Sequence, residues 1–186
     1  MNTELPEFGK WLLDRNKRPS LWLNRKIEGK VIWEPINVIL KDSVSESEEE
    51  SKNLLNKFLI NAGFKIRWGH ISPRYAEIGG VVYNFLPVKF FHAYSDRIWL
   101  KQNNHGRFFG PHKHNELFYY CGAVSRETAV THKYVSFTLA RNQFAKMLIE
   151  KSRLISSEFI DMNNQINSES ETTGDHDGKA ILLILS

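Results

Sequence analysis

The clearest hydrophobic pattern along the chain is that of an amphipathic helix that follows a segment rich in serine and glutamate. Its apolar stripe has helical spacing, ends at Gly63, and comprises Leu54, Leu55, Phe58, Leu59 and Ala62. Upstream, Ser45 followed by Glu48 fits a capping box, and the glutamates between 46 and 50 place negative charge at the positive end of the helix dipole. The sequence therefore predicts one helix with well-defined ends.

Apolar runs predict strands on both sides of this helix, so that strand, helix and strand form a β-α-β unit. The predicted strands lie at 35–40, 64–71, 97–100, 116–124, 133–139, 158–162 and 180–185, and a second helix is predicted at 140–151. Glycines and a proline interrupt the region 72–91, which predicts an irregular crossover or short helices there. Together these elements predict an α+β fold with a mixed, largely antiparallel sheet and two main helices packed mostly on one face.

Length and composition are those of one domain with a substantial core. The chain has 186 residues, of which 41% are hydrophobic. Its longest apolar runs are far shorter than the roughly 20 residues that cross a bilayer, and its N-terminus lacks the regions of a signal peptide, so we expect a cytoplasmic protein. The single cysteine, Cys121, lies in an apolar run and is expected to be a buried thiol rather than a nucleophile.

A net charge of +4 is too small to indicate a nucleic-acid-binding protein. Basic residues are concentrated near the N-terminus, where they alternate with tryptophan and leucine. We treat residues 1–30 as a basic and aromatic arm and residues 31–186 as a single domain. Two arrangements fit the arm: peripheral contact with an anionic membrane surface, or a short amphipathic helix and an extended segment packed on the domain.

Four of the seven histidines lie between positions 105 and 132, and imidazole readily serves as acid, base, metal ligand or anion binder near neutral pH. His112 and His114 would share one face of a strand, which suits a pair that binds one divalent metal. The sequence offers no matching set of further ligands, and Pro111 indicates a loop. A divalent metal at this pair is therefore one hypothesis, and ordinary loop polarity is the other.

His105 and Arg107 lie two residues apart, so an extended backbone places both on one face, and a neighbouring antiparallel strand would bring His132 beside them. An imidazole next to a guanidinium suits a phosphate or another oxyanion, because arginine offers a bidentate fork and histidine a proton. The structural alternative is that the histidines satisfy buried carbonyl groups and that Arg107 pairs with a carboxylate such as Glu116.

Asp177 lies between His176 and Gly178 in a segment whose alternating aspartates are similar to the start of a calcium loop. The remaining calcium ligands are missing from the sequence. We therefore expect a tight turn that leads into the last strand.

The order of these motifs resembles the C-terminal domain of LssY-type proteins, over residues 34 to 186. The segments that carry the resemblance are 61–64, 104–107, 121–125, 131–132, Arg141 and 177–179. The resemblance implies a secretion-associated domain that is often joined to membrane segments and has no established activity. It implies where a site lies but not its chemistry, and it leaves His112 and His114 outside the family pattern.

Two functions fit these residues. The first is an accessory domain that binds an anionic, phosphate-bearing ligand, a lipid headgroup or a protein partner through a polar face formed by His105, Arg107, His132 and Arg141. The second is a phosphoester hydrolase in which His105 or His132 is the general acid or base and Asp177 orients one of them or a metal.

Overall fold

A computed structural model describes residues 4–68, 74–86, 92–152 and 157–185. Its two helices in these ranges are α1 (Glu48–Asn61) and α2 (Thr138–Ser152), and neither is long and apolar enough to cross a membrane. The strands described there are β1 (Leu21–Ile27), β2 (Lys30–Trp33), β3 (Val38–Asp42), β4 (Lys65–Trp68), β5 (Tyr75–Ile78), β6 (Val81–Leu86), β7 (His92–Ser95), β8 (Asn103–His114), β9 (Leu117–Glu127), β10 (Tyr134–Ser136), β11 (Ser157–Asp161), β12 (Glu171–Thr172) and β13 (Lys179–Leu185).

Ten of the described strands form one sheet centred on the long β8–β9 pair. The order across the sheet is β11-β13-β3-β9-β8, and the other edge of β8 pairs with β6 along one part and with β7 along another. β5 pairs with β6, β4 with β7, and β10 with the end of β9. Among these pairings only that of β13 with β3 is parallel. The α+β prediction, with a largely antiparallel sheet, is confirmed.

The two helices cover one side of this sheet, which we call the helical face. Leu55 of α1 and Phe144 of α2 belong to the same buried cluster as Phe108 of β8. The rings of Phe108 and Phe144 stack with their centroids 5.3 Å apart. Gly122 of β9 makes room for them, because a Cβ atom there would lie 2.6 Å from the Phe108 ring. The prediction that both helices pack on one face is therefore confirmed.

The N-terminal segment and the β5–β6 hairpin cover the opposite side, which we call the arm face. Leu12 and Ile36 pack with Ile78 in a second buried cluster, and the backbones of Leu13 and Tyr75 exchange hydrogen bonds of 2.7 and 3.0 Å. β1, β2 and β12 form a small separate sheet. The short amphipathic helix proposed for the arm is wrong for residues 4–30, because their backbone groups bond to other strands instead of to the next turn of a helix.

The start of α1 lies two residues later than the sequence predicts. Ser47 and Glu50 form the capping box, with both reciprocal hydrogen bonds present. Ser45 and Glu48 have the same spacing, but the N–H of Ser45 donates instead to the carboxylate of Asp42, in the turn that follows β3. The stripe and the end of the helix near Gly63 are as predicted.

The region 72–91 is a hairpin in its described part rather than an irregular crossover or short helices. β5 and β6 are joined at Gly79 and Gly80, whose φ angles of 57° and 75° suit a tight hairpin turn. The rest of that region and the end of the strand predicted at 64–71 lie outside the described residues. The predicted β-α-β unit corresponds to β3, α1 and β4, which follow one another along the chain. In the sheet, however, β9, β8 and β7 lie between β3 and β4.

Three further predictions change around the longest strands. The strand predicted at 97–100 is a turn, and the one at 133–139 is only the short β10, because α2 begins at Thr138. The loop predicted at Pro111 is part of β8, which continues to His114 across a bulge that follows Phe109. A bulge accommodates proline because it interrupts the ladder of hydrogen bonds.

Candidate functional site

The register of β8 and β9 brings several polar side chains together on the arm face. His105 pairs with Ser125, and Asn103 pairs with Glu127. Residues two apart on a strand lie on the same side, so these four share a face, whereas Phe108 lies on the helical face. The pairing places a hydroxyl, an imidazole and a carboxylate next to one another.

The carboxylate of Glu127 lies between two histidines. Its Oε1 atom is 2.8 Å from Nδ1 of His132 and 3.7 Å from Nδ1 of His105. On the other side of the His105 ring, Nε2 is 3.2 Å from Oγ of Ser125. Hydroxyl, imidazole, carboxylate and imidazole thus follow one another, and we call these residues together with Arg107 the Glu127 cluster.

Burial and charge act against each other in this cluster. Burial raises the pKa of Glu127, while hydrogen bonds from His132 and Asn103 and the charge of Arg107 act to lower it. Burial and the charge of Arg74 lower the pKa of Arg107, and the charges of Glu34 and Glu127 oppose that shift. The buried guanidinium is therefore stabilised by two carboxylates, as a charge in the interior must be.

Glu34 reaches the cluster from the arm face, at the end of the strand β2. Its Oε2 atom accepts hydrogen bonds from Nε of Arg74, at 2.8 Å, and from Oγ of Ser20, at 3.1 Å. The side chains of Glu34 and Arg74 are only 9% and 11% exposed. The arm face thereby contributes a second buried ion pair next to Arg107, and the arm itself adds the hydrogen bond from Ser20.

His132 is the histidine of the cluster that solvent reaches most readily. Its side chain is 24% exposed, compared with 8% for His105 and 2% for Glu127. It lies in the turn at 128–133, has a left-handed φ of 46°, and its ring stacks on that of Trp99 with centroids 6.2 Å apart. Such a backbone conformation is uncommon outside glycine and is found often at functional sites. A ligand that arrives from solvent would meet His132 first.

The structure places Arg141 and Asp177 on the helical face and does not bring them to His105. Arg141 of α2 donates hydrogen bonds of 2.6 and 2.9 Å to the two carboxylate oxygens of Asp177 and one of 2.6 Å to the carbonyl of Lys179. These hydrogen bonds hold the pKa of Asp177 below its ordinary value. The guanidinium also lies over the ring of Phe159, at 4.8 Å. The two residues therefore join α2 to the turn before β13.

His112 and His114 lie at the far end of β8 from His105, roughly 23 and 30 Å away at the usual rise of a strand. Their rings are stacked with centroids 6.3 Å apart, and Nδ1 of His112 is 3.0 Å from the hydroxyl of Tyr83. Within the described ranges, no group of three or more histidine, cysteine, aspartate or glutamate side chains is arranged to hold a metal ion. A divalent metal at this pair stays a prediction.

Carboxylates do act on Arg107, as the structural alternative expected, but they are those of Glu34 and Glu127. Glu116, the example that the alternative named, is wrong, because it forms an ion pair of 2.8 Å with Lys113. Cys121 is fully buried, as predicted, and burial raises its pKa. The thiol is therefore protonated and inert.

Sequence patterns did not place Ser125 or Glu127 in the site, because the predicted strand ended at Val124. β9 continues to Glu127, and the alternation along it is the signal that would have placed both side chains beside His105. Glu34 and Arg74 lie far from β9 in the sequence and carry no local signal.

No family model, curated protein or solved structure matches this chain. The resemblance to LssY-type domains therefore stays a prediction.

Proposed function

We propose that the protein is a hydrolase of phosphate-bearing esters, with His105 and His132 as its acid and base. The observation that carries this proposal is the position of the Glu127 carboxylate between two imidazoles, one of which contacts a serine hydroxyl. A buried carboxylate next to an imidazole fixes its orientation and stabilises the imidazolium that forms when it accepts a proton.

The proposed reaction divides into two steps. In the first, Nε2 of His105 takes the proton of the Ser125 hydroxyl, and Oγ forms a bond to phosphorus. The bond between phosphorus and the leaving oxygen breaks, and His132 protonates that oxygen. In the second, His132 takes a proton from water, which attacks phosphorus, and His105 returns a proton to Oγ of Ser125 as phosphate leaves. Arg107 stabilises the charge on the phosphoryl oxygens.

A carboxylate at the centre of the cluster favours catalysis over simple anion binding, because a carboxylate that orients an imidazole serves proton transfer, whereas a site that only binds an anion needs no such group. One observation favours the second candidate, an accessory domain that binds a phosphate-bearing ligand without converting it. His105, Arg107 and Glu127 are all less than 10% exposed, so His132 is the member most open to a ligand. Both candidates keep the cytoplasmic location expected from the sequence.

The hydrolase is tested with p-nitrophenyl phosphate and bis(p-nitrophenyl) phosphate as soluble probes. The variants His105→Ala and Glu127→Gln should lower turnover by about 100-fold or more, the contribution of general acid–base catalysis. His114→Ala is the matched control, because it removes the same side chain from the same strand at the far end from the cluster. Circular dichroism and thermal unfolding show whether each variant is folded.

Absence of turnover by the wild-type protein with both probes, or equal turnover in His105→Ala, would overturn the hydrolase. The accessory domain makes a different prediction. Calorimetry with inorganic phosphate should then show saturable binding that is lost in His132→Ala and kept in His114→Ala.

A further inference from the structure

Exposed apolar side chains lie on the two turns next to His132, the most exposed histidine of the Glu127 cluster. The turn at 97–101 precedes β8, and the turn at 128–133 follows β9, so the antiparallel pairing of these strands brings both turns to one end of the sheet. Ile98, Leu100 and Val130 are 43%, 51% and 59% exposed. Neighbouring apolar side chains of this size at a surface indicate a binding surface rather than scattered exposure.

Aromatic rings connect these turns to each other and to the site. Trp99 of the first turn stacks on His132 of the second, and Trp68 of β4, which is 57% exposed, packs edge-on against Trp99 with centroids 6.1 Å apart. These rings therefore form a continuous surface that reaches the histidine that a ligand meets first.

The same two turns carry positive charge. Arg97, Lys101 and Lys133 are exposed, and neither 97–101 nor 128–133 contains an acidic residue. Next to the first turn, the carboxylate of Asp96 accepts hydrogen bonds of 2.7 and 2.8 Å from Asn104. A surface that combines tryptophan and aliphatic side chains with lysine and arginine is typical of proteins that rest in the headgroup layer of a membrane.

We propose that the turns 97–101 and 128–133, together with Trp68, form a membrane-docking surface for bilayers that contain anionic lipid. The apolar side chains enter the boundary between headgroups and acyl chains, and the lysines and arginine contact lipid phosphates. The exposed edge of His132 then faces the headgroup layer. Docking itself needs no catalysis. The inference rests on the proposed function only where it identifies the phosphoester substrate as a lipid headgroup.

Cosedimentation of the full chain with vesicles tests the docking surface. The protein should bind vesicles of phosphatidylcholine with phosphatidylglycerol, bind phosphatidylcholine alone much more weakly, and lose affinity as salt is raised. Leu100→Asp and Lys133→Glu should each weaken binding about tenfold or more. The matched controls are Val81→Asp, on the 47% exposed Val81 of β6, and Lys57→Glu on α1, and both should bind as the wild type does.

Two results would overturn the docking surface. One is that the protein does not sediment with the anionic vesicles, as expected if the surface binds a protein instead. The other is that Leu100→Asp and Val81→Asp bind the vesicles equally. The two proposals fail separately. Vesicle binding without turnover of the soluble phosphoesters leaves docking standing and removes the hydrolase. Turnover without vesicle binding does the reverse.

Discussion

At the scale of single residues, His176 is a buried imidazole that must stay neutral. Its Nε2 is 2.7 Å from Oδ1 of Asn164, whose amide nitrogen donates to the carbonyls of Lys10 and Ile36. The orientation of Asn164 therefore assigns the proton to Nε2 of His176. Nδ1 is buried without a hydrogen-bond partner among the described residues, and burial lowers the pKa of His176 to about 4.

The free energy of unfolding should therefore fall as the pH drops from about 6.5 toward 4. In this window the unfolded chain binds a proton at His176 that the native state does not, and the difference favours unfolding. A shift of this size corresponds to about 3 kcal/mol of stability, present above pH 6.5 and lost by about pH 4. Urea unfolding at several pH values between 7 and 4 measures it.

The variant His176→Gln isolates this contribution, because its amide keeps a donor for Asn164 but does not titrate. It should remove most of the extra loss of stability at low pH, whereas His114→Gln, at the exposed end of β8, should not. The same pH dependence in His176→Gln and in the wild type would contradict the assignment.

The candidate site was predictable only where neighbouring residues share one strand face. His105 and Arg107 were placed together because residues two apart on a strand lie on the same side. His132 was placed beside them because it closely follows the neighbouring strand. Arg141 and Asp177 were wrongly grouped with them, because chain order does not reveal which face of a sheet a helix covers. Their bidentate hydrogen bond is a contact between α2 and the turn before β13.

At the scale of elements, the turn at 174–178 stabilises the start of α2 through Asp175. Its carboxylate accepts hydrogen bonds from the hydroxyls of Tyr134 and Ser136 and, at 2.8 Å, from the N–H of Phe137. Burial acts to raise the pKa of Asp175, but the hydrogen bonds from Ser136 and Tyr134 outweigh it and lower the pKa. The carboxylate therefore stays charged near the positive end of the helix dipole.

Replacement of this side chain, Asp175→Ala, should lower the free energy of unfolding by about 1–2 kcal/mol, because a helix-capping acceptor is lost and its donors are left without it. Asp161→Ala is the control, since Asp161 is exposed and accepts a local hydrogen bond from Asn163. Urea unfolding at pH 7 compares the two variants. Equal losses would show that Asp175 does not stabilise α2.

Elements with local signals were predicted well, and those set by distant contacts were not. The stripe and end of α1 are encoded within a few residues, so only its cap was misplaced, where two serine–glutamate pairs compete. The turn at 97–101 was predicted as a strand because its apolar residues suggested burial. Ile98 and Leu100 are instead exposed, on the surface that we propose for docking, and sequence patterns fail most often where function opposes burial.

At the scale of the whole molecule, the arm belongs to the packing that holds the Glu127 cluster in place. Leu12 is 1% exposed within the buried cluster of the arm face, and its N–H donates to the carbonyl of Glu34 at 3.0 Å. Glu34 in turn bonds to Arg74 beside Arg107. Sequence patterns could not reveal this, because the alternation of basic and apolar residues in the arm fits a membrane contact as well as a packed strand.

This packing predicts that Leu12→Ala lowers the free energy of unfolding by about 2–4 kcal/mol, the usual effect of a cavity in a core. Leu139→Ala, at a leucine that is 43% exposed on α2, makes the same chemical change and should cost less than about 1 kcal/mol. Urea unfolding followed by far-ultraviolet circular dichroism and by tryptophan fluorescence should give coincident transitions, since two of the five tryptophans, Trp11 and Trp22, lie in the arm and the sheet carries most of the strands. A separate early transition in fluorescence would show instead that the arm unfolds alone, and the site would then depend on the arm far less than its contacts indicate.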